Sequence, residues 1–547
     1  MRYVDLMGGQ KPHLLVSMKD NLGAETKVEY AASTRFYLQD RLAGNPWITK
    51  LPFPVHVVER VEIFDYISRT RFSSQYKYHH GYFDGVEREF RGFGMVEQWD
   101  SEAYAVLEDS SALNLNPASD VPPVLTRTWF HTGAYLEGAR ISLLFKDQYY
   151  REPGLTPEQL DAMLLPDTVL PDAITLPEGS PSPYELIADE EREACRSLKG
   201  AILRQEVYGL DGTKAEPHPY SVSERNYTIQ LLQPQGANRH TVFFTHAREN
   251  IDYHYERKLF QVGSQQLADP RVTHSMTLAV DAYGNVQQSV AIGYGRRHDE
   301  PDPLLTDADR KKQTQMVVVL TESSYTKAVL APDQYRAPLP SETRTYELLK
   351  IAPQTNLSLT TNLFGFEEMG QHVRAASDGH HDIPYEDLAG QGAQGNVPYR
   401  RLIEQVRSLY RKDDLSAPMP LGKVDSLALP WESYKLAFTP GLLAVFTSKM
   451  LPADVAASLK SEGKYQDLDA DGHLWIPSGR SFFSPDPANP DPLFAHDHFY
   501  LVQAAQDPFG NVSHVSYDTY DLLIQQTTDP LANTVSAEHN YRVLQPR

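Results

Sequence analysis

Apolar and polar residues alternate with a period of two through most of the chain, and the alternation is broken by turns of one recurrent kind. After Asp20-Asn21-Leu22-Gly23, residues Thr26, Val28 and Tyr30 fall on one side of an extended segment and Lys27 and Glu29 on the other. Ser513, Val515 and Tyr517 repeat the spacing against His514 and Ser516 after Asp507-Pro508-Phe509-Gly510-Asn511. Asp281-Ala282-Tyr283-Gly284-Asn285 and Asp529-Pro530-Leu531-Ala532-Asn533 have the same make-up. In such a turn Asp accepts hydrogen bonds from the amides that follow it, Pro, present after Asp507 and Asp529, presets the first turn angle, and Gly or Asn takes the left-handed conformation that reverses the chain. One such hairpin is commonplace, but a unit repeated along a chain points to a scaffold.

The same reading divides the chain into five stretches. Residues 1–150 predict strands, clearest over Val55 to Phe64 and Thr70 to Tyr78 and continuing over Trp129 to Tyr150. Residues 151–200 predict an insertion, Pro-rich at Pro166, Pro171, Pro177 and Pro181, with a short helix opened by Thr156-Pro157 and an acidic helix between Pro183 and Leu198. Strands resume over 201–365, at Ala201 to Tyr208, Tyr227 to Leu232 and Thr241 to Phe244. Over 366–495 the pattern predicts helical or irregular structure: Leu402, Val406 and Leu409 stand at i, i+4 and i+7, and a short helix covers Ala453 to Ser461. Residues 496–547 return to turn-and-strand units. The fold class is mainly β, a long curving antiparallel sheet with helical insertions.

Composition agrees. Among 547 residues there are 31 Tyr, 39 Pro and 32 Gly, a balance that favours strands and turns over a helical bundle. A net charge of −21 spread along the chain argues against nucleic-acid binding. Cys195 is the only cysteine, so there is no internal disulfide, and its place in a helical pattern predicts a packed, inert thiol. No apolar run reaches the length of a membrane span; Met316 to Leu320 and Leu442 to Phe446 read as buried strands or helix pieces. Met1 to Leu6 is no signal peptide, and the chain opens so directly on a strand that it is expected to be part of something longer.

Candidate chemistry is sparse. Asp467-Leu468-Asp469-Ala470-Asp471-Gly472 resembles the start of a calcium loop, but Ser478 stands where a bidentate carboxylate is needed and no helix pair flanks it. Asp467, Asp469 and Asp471 are therefore calcium candidates at most, and an acidic turn without metal is expected. Of the histidine pairs His79-His80, His380-His381 and His496-Asp497-His498, only the last is spaced to share one face of a strand, and nothing nearby completes a zinc site. Asp413-Asp414 and Glu367-Glu368 read as solvated charge. No nucleophile elbow, phosphate loop, dinucleotide fingerprint or zinc-protease helix is present, so no catalytic residue and no cofactor are expected.

The segment Tyr78-His79-His80-Gly81-Tyr82-Phe83-Asp84-Gly85-Val86-Glu87-Arg88-Glu89-Phe90-Arg91-Gly92-Phe93-Gly94-Met95-Val96-Glu97 is highly distinctive. It resembles the B component of bacterial Tc (insecticidal) toxin complexes. The resemblance extends through Asn45 to Val58, Leu198-Lys199-Gly200, Tyr208 to Gly212 and Trp475 to Arg480. It implies a non-catalytic role in a secreted virulence complex. In that family, B and C components join Rhs (YD) repeat sheets into a hollow shell around a toxic enzyme, the variable C-terminal end of C. A β-propeller of B docks the shell on the A component, a translocation channel. The resemblance covers the shell part after the propeller, so the C component is the expected partner, the channel only an indirect one, and no residue here inherits the docking role. Open strand edges predict self-association or a requirement for a partner. Two other classes remain: a carbohydrate-active hydrolytic β-protein using the Asp467 to Asp471 cluster, and a cell-surface adhesion module.

Overall fold

The computed structural model describes residues 13–101, 122–136, 141–176, 180–298, 302–354, 362–447 and 455–547. Met1 to Leu6, Pro177 and Ala453 of the readings above lie outside them. The chain divides into two compact units: residues 1–276, 292–316 and 353–364 form one, and residues 277–291, 317–352 and 365–547 the other.

In the first unit the strands pair in the order of the sequence, each antiparallel to the next. They are Ser17–Lys19, Ala24–Ala32, His56–Asp65, Thr70–Asp84, Glu89–Ser101, Val124–Phe130, Ile202–Gly209, Ser221–Gln233 and Val242–His254, followed by Arg271–Val280, which pairs through Arg271 to Met276. Between Phe130 and Ile202 the chain makes a long excursion, whose described residues pack against this sheet, and returns to the neighbouring position. The excursion is not the continuous strand expected over Trp129 to Tyr150. The strand stops at Phe130, Gly133 turns with φ +69°, and a Cβ there would sit 2.9 Å from Arg196 Cα. The following apolar residues, Ile141, Phe145 and Tyr149, are spaced by four and pack down on sheet residues such as Trp129, Leu203 and Ile229. The short helix Pro157–Ala162 has the expected Thr156 cap, which accepts from Gln159 N. The helix Ala188–Arg196 buries Ala194 and Cys195 against Ile141 and Ile229.

Where this excursion is irregular, carboxylates on the strands accept some of its backbone amides. Tyr150 N donates to Glu206 (2.8 Å) and Leu165 N to Glu224 (2.7 Å), while Arg204 bridges both carboxylates at 2.7 and 2.6 Å. All three side chains are buried.

The second unit pairs Val317–Tyr325, Pro340–Leu349, Tyr399–Tyr410, Pro430–Phe438 and Leu474–Pro477 antiparallel in sequence order, with Asp382–Ile383 parallel to Tyr399–Tyr410. A further antiparallel sheet runs Arg480–Phe482, Ala504–Gln506, Val512–Tyr517, Ile524–Thr528 and Thr534–Ser536. Helix Phe366–Ala376 buries Met369, Val373 and Ala376.

The helix expected through Leu402, Val406 and Leu409 is a strand. The register shift opposite Thr345 and Tyr346 leaves Ile403 as an extra residue, so the parity of the strand changes there. Leu402 and Leu409 then pack in one cluster with Tyr434, Leu436 and Trp475. A bulged strand thus imitates the i, i+7 spacing of a helix.

All four recurrent turns close in the same way. The Asp carboxylate accepts the amides two and four residues on: Leu22 and Ala24 at Asp20, Tyr283 and Asn285 at Asp281, Phe509 and Asn511 at Asp507, Leu531 and Asn533 at Asp529. The left-handed position is Gly23, Gly284, Gly510 and Ala532, with φ of +104°, +82°, +92° and +64°. Two turns of related chemistry carry no such glycine: Asp65 and Asp84 capture amides two and three residues on, and Arg69 and Arg88 take the positive φ.

Candidate functional site

The hairpin formed by Thr70–Asp84 and Glu89–Ser101 contains the distinctive segment, and a cleft of about 790 Å³ opens beside it. Its walls are the end of helix Ser33–Leu42, the loop through Asn45 and Pro46, and Asp147 and Gln148 of the excursion. The histidines sit here because the ladder is irregular at this point: His80 has φ +57° and the register shifts just beyond Gly81.

His79 is flanked by acid on both sides. Its Nδ1 is 2.7 Å from Asp40 Oδ2, and its Nε2 lies 3.5 Å from Glu97, a charge contact rather than a hydrogen bond. Asp40 also accepts from Trp47 Nε1 (2.6 Å), and Glu97 from Arg127 Nε (2.9 Å). Burial works against the charged imidazole, but the two carboxylates outweigh it and raise His79 to about 9. Glu97 is held below its ordinary value, since His79 and Arg127 overcome the effect of its own burial.

His80 has the opposite surroundings. Ile48 N donates to its Nδ1 (3.1 Å), which requires a neutral ring, and its Nε2 meets Gln148 Oε1 at 3.1 Å. Burial lowers it to about 4. Two glycines of the segment serve close packing: a Cβ on Gly81 would lie 2.8 Å from Trp47, and one on Gly94 would collide with Phe145. Arg91 donates to Gly133 O (2.8 Å) and stands 2.7 Å from Asp84. Two of the other quoted segments bond to this hairpin too, through Thr49 Oγ1 to Gly81 O (3.1 Å) and Lys199 Nζ to Glu89 (2.8 Å). Acid, base and donor groups here hold helix, loop and excursion onto the sheet.

The remaining candidates are also engaged. Asp467 pairs with Lys460 (2.9 Å), Asp469 with Arg407 (2.6 Å), and Asp471 with His473 (2.9 Å), so the three carboxylates serve three different side chains. His496 and His498 share no strand: helix Pro492–Asp497 ends there, and His498 stacks on Phe494 and bonds Asp521 at 3.0 Å. His381 bonds Asp378 at 2.8 Å. Asp413 is not solvated charge but accepts from Ser426 Oγ and Leu427 N. Cys195 is buried, which pushes its thiol up to about 12.

Among the described residues, one group gathers ligand atoms of metal-binding type: Glu87, Glu193 and His240, within 4.8 Å of one another. Glu193 already accepts from His240 Nδ1 (2.6 Å) and Thr241 N (2.8 Å), and Glu87 faces Arg192 and Arg196. Two guanidiniums beside one ligand disfavour a cation. Among the described residues, no helix is long and apolar enough to cross a membrane.

Two family models match the chain, the insecticide toxin TcdB middle/N-terminal region over residues 3–133 and its middle/C-terminal region over residues 193–337. Solved structures of similar fold include TcdB2-TccC3 (TM-score 0.67, 23% identity) and TcdB2-TccC3-Cdc42 (TM-score 0.68, 23% identity), each alignment covering 97% of this chain and 23% of that one. The Photorhabdus luminescens Tc holotoxin pore matches with TM-score 0.69 and 23% identity, over 97% of this chain and 22% of the other. The chain thus spans less than a quarter of the solved chains it resembles. No curated protein sequence matches it.

Proposed function

Since the chain belongs to the insecticide toxin TcdB family, we propose that it is a non-catalytic wall segment of a secreted bacterial toxin complex, helping to enclose a toxic effector. The observation that carries this reading is the sequence-ordered antiparallel sheet of the first unit, whose histidine-lined cleft spends Asp40, His79, Glu97 and Arg127 on scaffold contacts. Such a sheet places alternate residues on its two faces, which suits a wall. In the solved relatives the partner is TccC3. By that analogy the partner of this chain is a C component, an Rhs-repeat protein ending in a variable toxic region.

Support for a scaffold role also comes from the turn chemistry, which recurs in both units and builds strands rather than pockets. Co-expression with such a C component, one protein tagged, tests the pairing. A stoichiometric complex that survives gel filtration is expected, and separate elution of the two proteins would contradict it.

A further inference from the structure

A second cleft, of about 350 Å³, opens in the first unit away from the histidine pair. Its apolar walls are Tyr150, Tyr255, Pro153 and Leu259. The tyrosines stand edge to face with ring centroids 5.8 Å apart, and Tyr150 OH shares a hydrogen bond of 3.0 Å with His218 Nδ1, so these rings are fixed. Leu259 is half exposed at the rim.

The cleft's charge is opposite to that of the protein. The chain carries 72 acidic against 51 basic residues, yet the lining includes Lys214, Arg257 and Lys258 and no carboxylate. Arg257 is already committed: it bonds Asp211 (2.8 Å), reaches the carbonyls of Gly209 and Ala215, and lies over the Tyr220 ring. It contributes a fixed wall rather than net charge. Lys214 has no carboxylate partner among the described residues, and Lys258 Nζ lies over the Phe260 ring, 4.6 Å from its centroid. Two lysines without acidic partners among the described residues thus border a pocket walled by tyrosine.

From this geometry we infer a binding site for a small aromatic carboxylate, its ring against Tyr150 and Tyr255 and its charge toward Lys214 and Lys258. Rigid aromatic walls with a few convergent charges are the usual make-up of small-ligand sites, and a volume near 350 Å³ suits a ligand of one or two rings. The site is independent of the wall function proposed above.

The test is calorimetric titration of the full chain with indole-3-acetate and with its uncharged amide, indole-3-acetamide. Saturable binding of the acid, with the amide at least tenfold weaker, is expected. In the Lys214→Ala/Lys258→Ala variant the acid should weaken about tenfold while the amide stays unchanged; both lysines are exposed, so folding should survive. Leu259→Glu, at the rim, should weaken the acid more than the amide. Equal affinity for acid and amide, an unaltered acid in the double variant, or no saturation with either compound would overturn the assignment.

Discussion

His79 and His80 are neighbours in the chain, but the groups around them set opposite charge states. His79 is raised to about 9 by Asp40 and Glu97 against its burial, while burial lowers His80 to about 4. Linkage then fixes two limbs of a stability profile. A raised pKa stabilises fully below the ordinary value of 6.5, and that contribution is lost as pH climbs through 9. A lowered pKa stabilises fully above 6.5, and that contribution is lost as pH falls through 4. The fully buried His131, also lowered to about 4 by desolvation, adds to the acid limb. Replacing His79 by Gln should cost about 2 kcal/mol near neutral pH. Denaturation midpoints measured from pH 6 to pH 10 should also lose their alkaline decline; an unchanged decline would show that His79 is not its source. None of this was legible from the sequence, because Asp40 stands 39 residues before His79 and only the sheet register brings Glu97 beside it.

At the scale of elements, the turns were legible and one strand was not. An Asp followed at i+3 by Gly specifies its own hydrogen bonds locally, so the recurrent turns could be read without tertiary information. Ala532 departs from the pattern in sequence but not in backbone, since it holds φ +64° despite its Cβ. Ala532→Gly should therefore stabilise the last sheet by about 0.5–1 kcal/mol, and Gly510→Ala should cost a similar amount. Hydrogen exchange at the amides of Val512–Tyr517 and Thr534–Ser536 reads both changes, and slower exchange in Gly510→Ala would contradict the account. The strand Tyr399–Tyr410 escaped because a bulge is a register property: Ile403 looks ordinary until its partners are known. The stretch from Trp129 to Tyr150, expected as strand, escaped for a different reason. Its end is held by Glu206, a carboxylate on a strand that follows it in the chain, which accepts from Tyr150 N.

For the molecule as a whole, strand order follows sequence order through most of each unit's main sheet, so local hairpin chemistry sets much of the architecture. Some strand edges remain open. Ser17–Lys19 pairs on one side only among the described residues, with Leu15, Val16 and Met18 each at least 60% exposed; Thr534–Ser536 does likewise, with Val535 71% exposed. Edges of that kind call for a covering partner, which is what the proposed place in a toxin-complex wall requires. The central claim is that this chain helps to enclose a toxic effector, and protease protection tests it most directly. The variable toxic end of a C-component partner is exposed to a broad-specificity protease with and without this chain, and its survival is followed with time. Survival only in the presence of this chain is the predicted result, and digestion at the same rate in both samples would contradict it.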